Sequence, residues 1–197
     1  MDRDGVVSGT MIVNGTLNGN GYTMTPSNPK VTSGTYRFIE LNGVNGADVK
    51  VENLVIDGKN MSAEGNYGIR GLFIVGNGKY TINNVTIKNV TYALNTGVVT
   101  GTSLAVSNST LEGWTSLDGI EGATFTNVNF TKGKYANFKP YKSVTLTGCT
   151  FEEGFQIDFT ALNGVITFEN CKYGTTPITS VDDLKVVDGD PTGKVAF

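Results

Sequence analysis

At 197 residues, 39% of them apolar and 17% charged, the chain has material for one domain, or two small ones, with a real core. A net charge of −3 and a pI near 5.0 lack the basic footprint that nucleic acid requires, and two cysteines with no histidine make neither a disulfide framework nor a zinc site. The 26 glycines against five prolines, with much Thr, Asn and Val, suit strands and tight turns and leave little for long amphipathic helices.

The opening MDRDGVVSGT has no apolar core of a signal peptide, and no later run approaches the ~18–20 apolar residues that cross a bilayer. Residues 1–10 are therefore expected to be a lead-in, and the chain a piece of a longer one that continues N-terminally. From GTLNGNGYTM at residues 15–24 onward, short strand patterns alternate with Gly/Asn turns. Six segments then align on one anchor position: VKVENLVIDG at Asn53, YTINNVTIKN at Asn84, LAVSNSTLEG at Asn108, ATFTNVNFTK at Asn127, VTLTGCTFEE at Gly148 and ITFENCKYGT at Asn170. Successive anchors lie 31, 24, 19, 21 and 22 residues apart. The loop Lys59–Gly68, KNMSAEGNYG, accounts for the longest gap and is a possible binding loop, since loops projecting from a repeat stack often carry function. The tail PITSVDDLKVV departs from the pattern and is expected to close the stack, giving rungs over 11–175 and a C-terminal cap over 176–197.

Alternation before the anchor turns Val51, Ile82, Val106, Phe125, Leu146 and Phe168 to one side. Three residues after it, Ile56, Ile87, Leu111, Phe130, Phe151 and Tyr173 form a second apolar set. The chain thus bends at an Asn, a residue that tolerates left-handed backbone angles, and turns inward again. A period near 22 with several short strands per repeat predicts an all-β fold: a single-stranded parallel β-helix (β-solenoid) of about seven or eight rungs, each spaced ~4.8 Å from the next. The preference of parallel crossovers makes it right-handed. Cys149 and Cys171 hold the same position in adjacent repeats and are expected to stack inward as neighbours, as reduced thiols or, with strain, as a disulfide.

These rungs resemble the asparagine-cornered coils of right-handed parallel β-helix proteins of the pectate-lyase-like superfamily, and GTLNGNGYTM resembles that superfamily's first coil. The resemblance covers most of the chain and implies the fold. It implies less about activity, because the superfamily holds lyases, hydrolases, phage spikes and inert surface modules. Its lyases use an acidic calcium cradle and a basic proton acceptor; its hydrolases carry an Asn-Thr-Asp segment, an Asp pair, a Gly-His and an Arg-x-Lys. Here the only Asp pair, Asp182-Asp183, lies outside the repeats, Arg3, Arg37 and Arg70 fit no catalytic pattern, and histidine is absent. No catalytic residue, metal site or cofactor is therefore expected.

A ligand face is predicted eight to ten residues beyond the anchors. Position nine reads Ala93, Leu117, Ala136 and Ile157, which predicts an inward row. Its neighbours, Tyr92, Ser116, Tyr135 and Gln156 at position eight and Leu94, Asp118, Asn137 and Asp158 at position ten, would then face outward. Tyrosines beside carboxylates and amides suit sugars, whose apolar faces stack and whose hydroxyls hydrogen-bond. The candidate ligand-binding residues are Tyr92, Trp114, Asp118, Tyr135, Asn137, Lys139, Gln156 and Asp158. On that register Asp118 and Asp158 sit two rungs apart, roughly 9–10 Å, at or just beyond the ~6.5–9.5 Å of inverting glycosidases. The expectation is a non-catalytic, extracellular or cell-surface bacterial module for adhesion or binding of a polysaccharide or host glycan, monomeric and without a membrane span. The alternative is a polysaccharide lyase or glycoside hydrolase using the Asp118–Asp158 face, and the third a structural spacer or spike segment.

Overall fold

The computed structural model describes residues 3–27, 35–59, 68–97 and 100–197. These residues are almost all strand and turn, with a single 3₁₀ turn at Val181–Asp183. The strands pair in parallel, except that Lys172–Tyr173 and Thr176–Pro177 run antiparallel. Among the described residues they form a larger sheet of 15 strands, which curls, and a smaller one of eight, an arrangement consistent with a β-solenoid. No helix of the described residues is long and apolar enough to cross a membrane.

The larger sheet bends along the anchors. In the strand Lys79–Lys88, Tyr80 and Ile82 point inward; the backbone then turns at Asn84 with φ 53°, and Val85 and Ile87 point inward on the other side. Asn53, Asn108, Asn127 and Asn170 take φ of 53°, 50°, 54° and 54°, a conformation that asparagine accepts more readily than other side-chain-bearing residues. The side chains link the turns: Asn84 Nδ2 donates to Asn53 Oδ1 at 2.9 Å, and Asn127 Nδ2 to Asn108 Oδ1 at 3.4 Å. Asn108 Nδ2 instead reaches Asn83 Oδ1, at 3.0 Å. At the fifth anchor a Cβ would lie 2.6 Å from Asn127 Oδ1, with φ at 64°, so Gly148 stands where the others have Asn.

The predicted core column is present. Val51, Ile82, Val106, Phe125, Leu146 and Phe168 pair in direct register, none more than 2% exposed. Ile56, Ile87, Leu111, Phe130, Phe151 and Tyr173 make the second column. Identical positions stacked one strand apart let like side chains pack face to face: the Phe130 and Phe151 rings are 4.8 Å apart and 8° from parallel. Phe138, from the smaller sheet, meets Phe125 edge-on at 5.5 Å, tying the two sheets into one apolar core. Buried Ser109 is tolerated because its hydroxyl accepts from Val85 N and donates to Ser107 O.

Cys149 and Cys171 are buried free thiols, with Thr147 paired to Glu169 before them and Thr150 to Lys172 after them. Part of the tail goes on with the stack: Val186–Asp188 pairs in parallel with Gln156–Asp158, and Val195–Ala196 with Ile166–Glu169. The lead-in also contributes a strand, Gly5–Val7, paired in parallel with Thr23–Pro26.

Candidate functional site

The outer face of the smaller sheet carries the candidate residues, in a register different from the one expected. Its inward column is Leu72, Leu94, Thr115, Phe138 and Ile157, each 0% exposed. One outward column runs through Arg37, Arg70, Tyr92 and Trp114, and the pairing of Thr115 with Phe138 then sets Asn137 beside Trp114 and Gln156 beside Asn137. A second outward column runs through Glu40, Phe73, Asn95, Ser116 and Lys139, with Asp158 ion-paired to Lys139.

The predicted position-nine residues do face the core, Ala93, Leu117 and Ile157 being 0%, 1% and 0% exposed and Ala136 packing against it, but they do not form one column. A fixed count from the anchors assumes corners of constant length, but the corners between Lys88 and Tyr92, Glu112 and Trp114, Thr131 and Asn137, and Phe151 and Gln156 differ. Between Trp114 and Thr115 the register also shifts against the preceding strand: Tyr92, Ala93 and Leu94 oppose only two residues, a β-bulge that buries Ala93 and Leu94 together. Leu94, expected to point outward, is 0% exposed. Ala136, expected inward, is half-buried and packs against the core, but from the corner before its strand. Asn137 stands with Trp114 and Gln156, not with Asp118 and Asp158.

Asp118 also leaves the expected column. It lies in the turn after Trp114–Leu117, beside Gly119 with its φ of 76°, and its backbone carbonyl accepts the Thr96 hydroxyl at 2.5 Å. Its side chain makes no ion pair among the described residues. Asp158, in contrast, is fully engaged. Lys139 Nζ donates to its Oδ2 at 2.8 Å, while Thr160 donates to its Oδ1 from the backbone N at 2.9 Å and the hydroxyl at 2.5 Å. Burial pushes the Asp158 carboxyl up, but these donors outweigh it and hold the group below the usual carboxylate range. Asp118, in the turn beyond Leu117, thus stands outside the column that holds Lys139 and Asp158.

The structure does bring three aromatic candidates together. Tyr92 and Trp114 ring centroids are 5.3 Å apart, and Tyr135, from the corner before Asn137, closes the triangle at 6.1 Å from Tyr92 and 5.8 Å from Trp114. All three are half-buried, so each ring keeps part of its surface in water. Burial, then the neighbouring Tyr135, raises the Tyr92 hydroxyl above its ordinary pKa.

Sequence reasoning missed the side of this face formed by the strands Thr35–Leu41 and Gly68–Ile74. Arg37 and Arg70 stack on the Phe73 ring at 4.1 and 4.8 Å, and Arg70 also lies 5.1 Å from the Tyr92 centroid. Both strands precede any count from the later anchors. The available signal was local: Arg37 with Glu40, and Arg70 with Phe73, each at a three-residue interval in a strand-like segment. The Lys59–Gly68 loop, also named from the sequence, lies outside the described residues apart from Lys59, Gly68 and their flanks.

Among the described residues no cluster of three or more His, Cys, Asp or Glu is placed to hold a metal ion. No protein-family model matches the chain, and neither a curated protein nor a solved structure does. The parallel strands in a curled sheet are compatible with a β-helix.

Proposed function

We propose that this protein is a non-catalytic module, extracellular or at a bacterial cell surface, that binds glycan along the outer face of the smaller sheet. In this reading the fold is a right-handed parallel β-helix of about seven or eight rungs, which displays one residue per rung along a straight axis. The observation that carries it is the Tyr92–Trp114–Tyr135 triangle, drawn from successive repeats and bordered by Asn137, Gln156, Lys139 and Asp158. Exposed ring faces stack on the apolar faces of sugars, and amides and charged groups beside them take the hydroxyls. Because rigid strands set these groups in place before the ligand arrives, little conformational freedom is lost on binding.

Binding without turnover is favoured by the state of Asp158. A carboxylate held below its usual range by a lysine and a threonine is a poor proton donor at neutral pH, and Asp118 lies outside its column, in the turn beyond Leu117. The test is a glycan array, followed by reducing-end and unsaturated-product assays on every hit. Binding with no product supports the module; product formation overturns it in favour of a polysaccharide lyase or hydrolase; and an empty array points to a spacer.

A further inference from the structure

Arg70 differs from the other cations of this face. Arg37 pairs with Glu40 at 2.9 Å, and Lys139 with Asp158 at 2.8 Å. Arg70 makes no ion pair or hydrogen bond with any described residue, although it is half-buried and its Nε is wholly covered without an acceptor. Burial, then the like charge of Arg37, lowers its pKa from the ordinary arginine value. Further along the neighbouring strand, Asn95 pairs with Phe73, is 4% exposed, and its Oδ1 meets no donor of the described residues.

A charge partly withdrawn from water is normally paired, because its lost hydration is otherwise uncompensated. Here the Phe73 and Tyr92 rings hold the guanidinium in place, and no acceptor of the described residues occupies its terminal nitrogens. A planar fork fixed by stacking, whose terminal N–H groups meet no acceptor of the described residues, is suited to an oxyanion. We propose that Arg70 anchors one anionic oxygen group, a carboxylate, sulfate or phosphate, carried by the ligand of this face. The proposal rests on the glycan reading above and adds to it a charged substituent, placed one strand to the Phe73 side of the aromatic triangle.

The test uses the intact ¹⁵N-labelled protein and its arginine Nε–Hε signals, of which three arginines give at most three. Arg70→Lys identifies the Arg70 signal by its loss. Sodium sulfate, phosphate and acetate are titrated separately against chloride at constant ionic strength. A saturable shift of the Arg70 signal, absent from Arg3, is expected with at least one anion, and the anion that saturates first names the class. An Arg70 signal that moves no more than Arg3 with all three overturns the proposal.

A second arm does not depend on that signal. Arg70→Gln should melt at or above the parent's temperature, since it removes a half-buried charge that has no ion-pair partner among the described residues. Sulfate strengthens burial in any protein, so the comparison is differential: sulfate should raise the parent's melting temperature more than that of Arg70→Gln, and equal rises overturn the anchor. On the glycan array, a sulfated or carboxylated oligosaccharide should bind about tenfold or more tighter than its neutral counterpart, a preference lost in Arg70→Gln. Equal binding of both forms overturns the anchor and leaves the glycan reading standing. A saturable anion response with an empty array keeps the anchor and overturns the glycan reading.

Discussion

Lys139 and Asp158 meet across neighbouring strands of the smaller sheet at 2.8 Å, with side chains only 20% and 13% exposed. The ion pair is closed by Thr160, which donates to the carboxylate from both its backbone and its hydroxyl and accepts from Lys139 at 2.9 Å. These contacts hold the carboxyl below its unfolded value, so the group stabilises the fold above the unfolded pKa of about 4, and that contribution fades as pH falls through the lower folded value. Asp158→Asn should therefore destabilise the fold at pH 7 by a charged hydrogen bond's worth, about 1.5–3 kcal/mol, and lower the melting temperature accordingly. Melts recorded from neutral to strongly acid pH should show parent and variant converging below about pH 4. A constant offset across that range would mean that the pair contributes packing and no electrostatic stability.

Phe125 tests the core that joins the two sheets. Its ring is 0% exposed and lies 5.5 Å from both Phe130 and Phe138. Phe125→Ala should cost roughly 3–5 kcal/mol as a cavity in the middle of the stack. Equilibrium unfolding in urea measures it, and a loss below about 1 kcal/mol would show that neighbouring repeats collapse into the space.

The thiols give a third prediction. Cys149 Sγ lies 3.4 Å from Phe125 O and Cys171 Sγ 3.3 Å from Leu146 O, both inside the core. The contact between the two thiols, then burial, pushes Cys149 well above its ordinary pKa, and the same contact lowers Cys171, so it is burial, 0% and 2% exposure, that shields both from reagent. Ellman's reagent should react slowly with the native protein and find two thiols once it is unfolded without reductant. No thiols after unfolding would establish a disulfide between adjacent repeats.

The larger sheet was legible in the sequence because its geometry is fixed at one residue. A positive φ at each Asn anchor sets the alternation on both sides, so Val51 through Phe168 could be aligned by counting short distances from it. The smaller sheet lies beyond a corner whose length changes from repeat to repeat, and no single residue type marks that corner. Counting across it put Asn137 with Asp118 and turned Leu94 outward, while the bulge at Ala93 added a further step. Tyr92, Trp114 and Tyr135 were nevertheless identified, because an aromatic residue near the start of a strand is conspicuous whatever its register. Arg70 was not, since its significance lies in having no partner among the described residues, and pairing is a property of the folded chain.

Trp114 is the only tryptophan, so its fluorescence reports on the aromatic triangle alone. Its indole Nε1 is covered and has no partner among the described residues, and Tyr135 packs edge-on against the ring at 5.8 Å. Tyr135→Ala should uncover the indole and move its emission to longer wavelength. The half-buried ring contributes only about 0.5–1.5 kcal/mol through its aromatic contacts, so the melting temperature should fall by a few degrees at most. If a sugar stacks on this triangle, adding it to the parent should shift or quench the same emission with a saturable dose response, and Tyr135→Ala should weaken that response by about tenfold. Asp118→Asn should leave binding nearly unchanged, because an amide keeps the hydrogen-bonding capacity that a binder uses. A confirmed glycan that binds Tyr135→Ala as tightly as the parent, with no change in Trp114 emission, would place the binding surface elsewhere on the molecule.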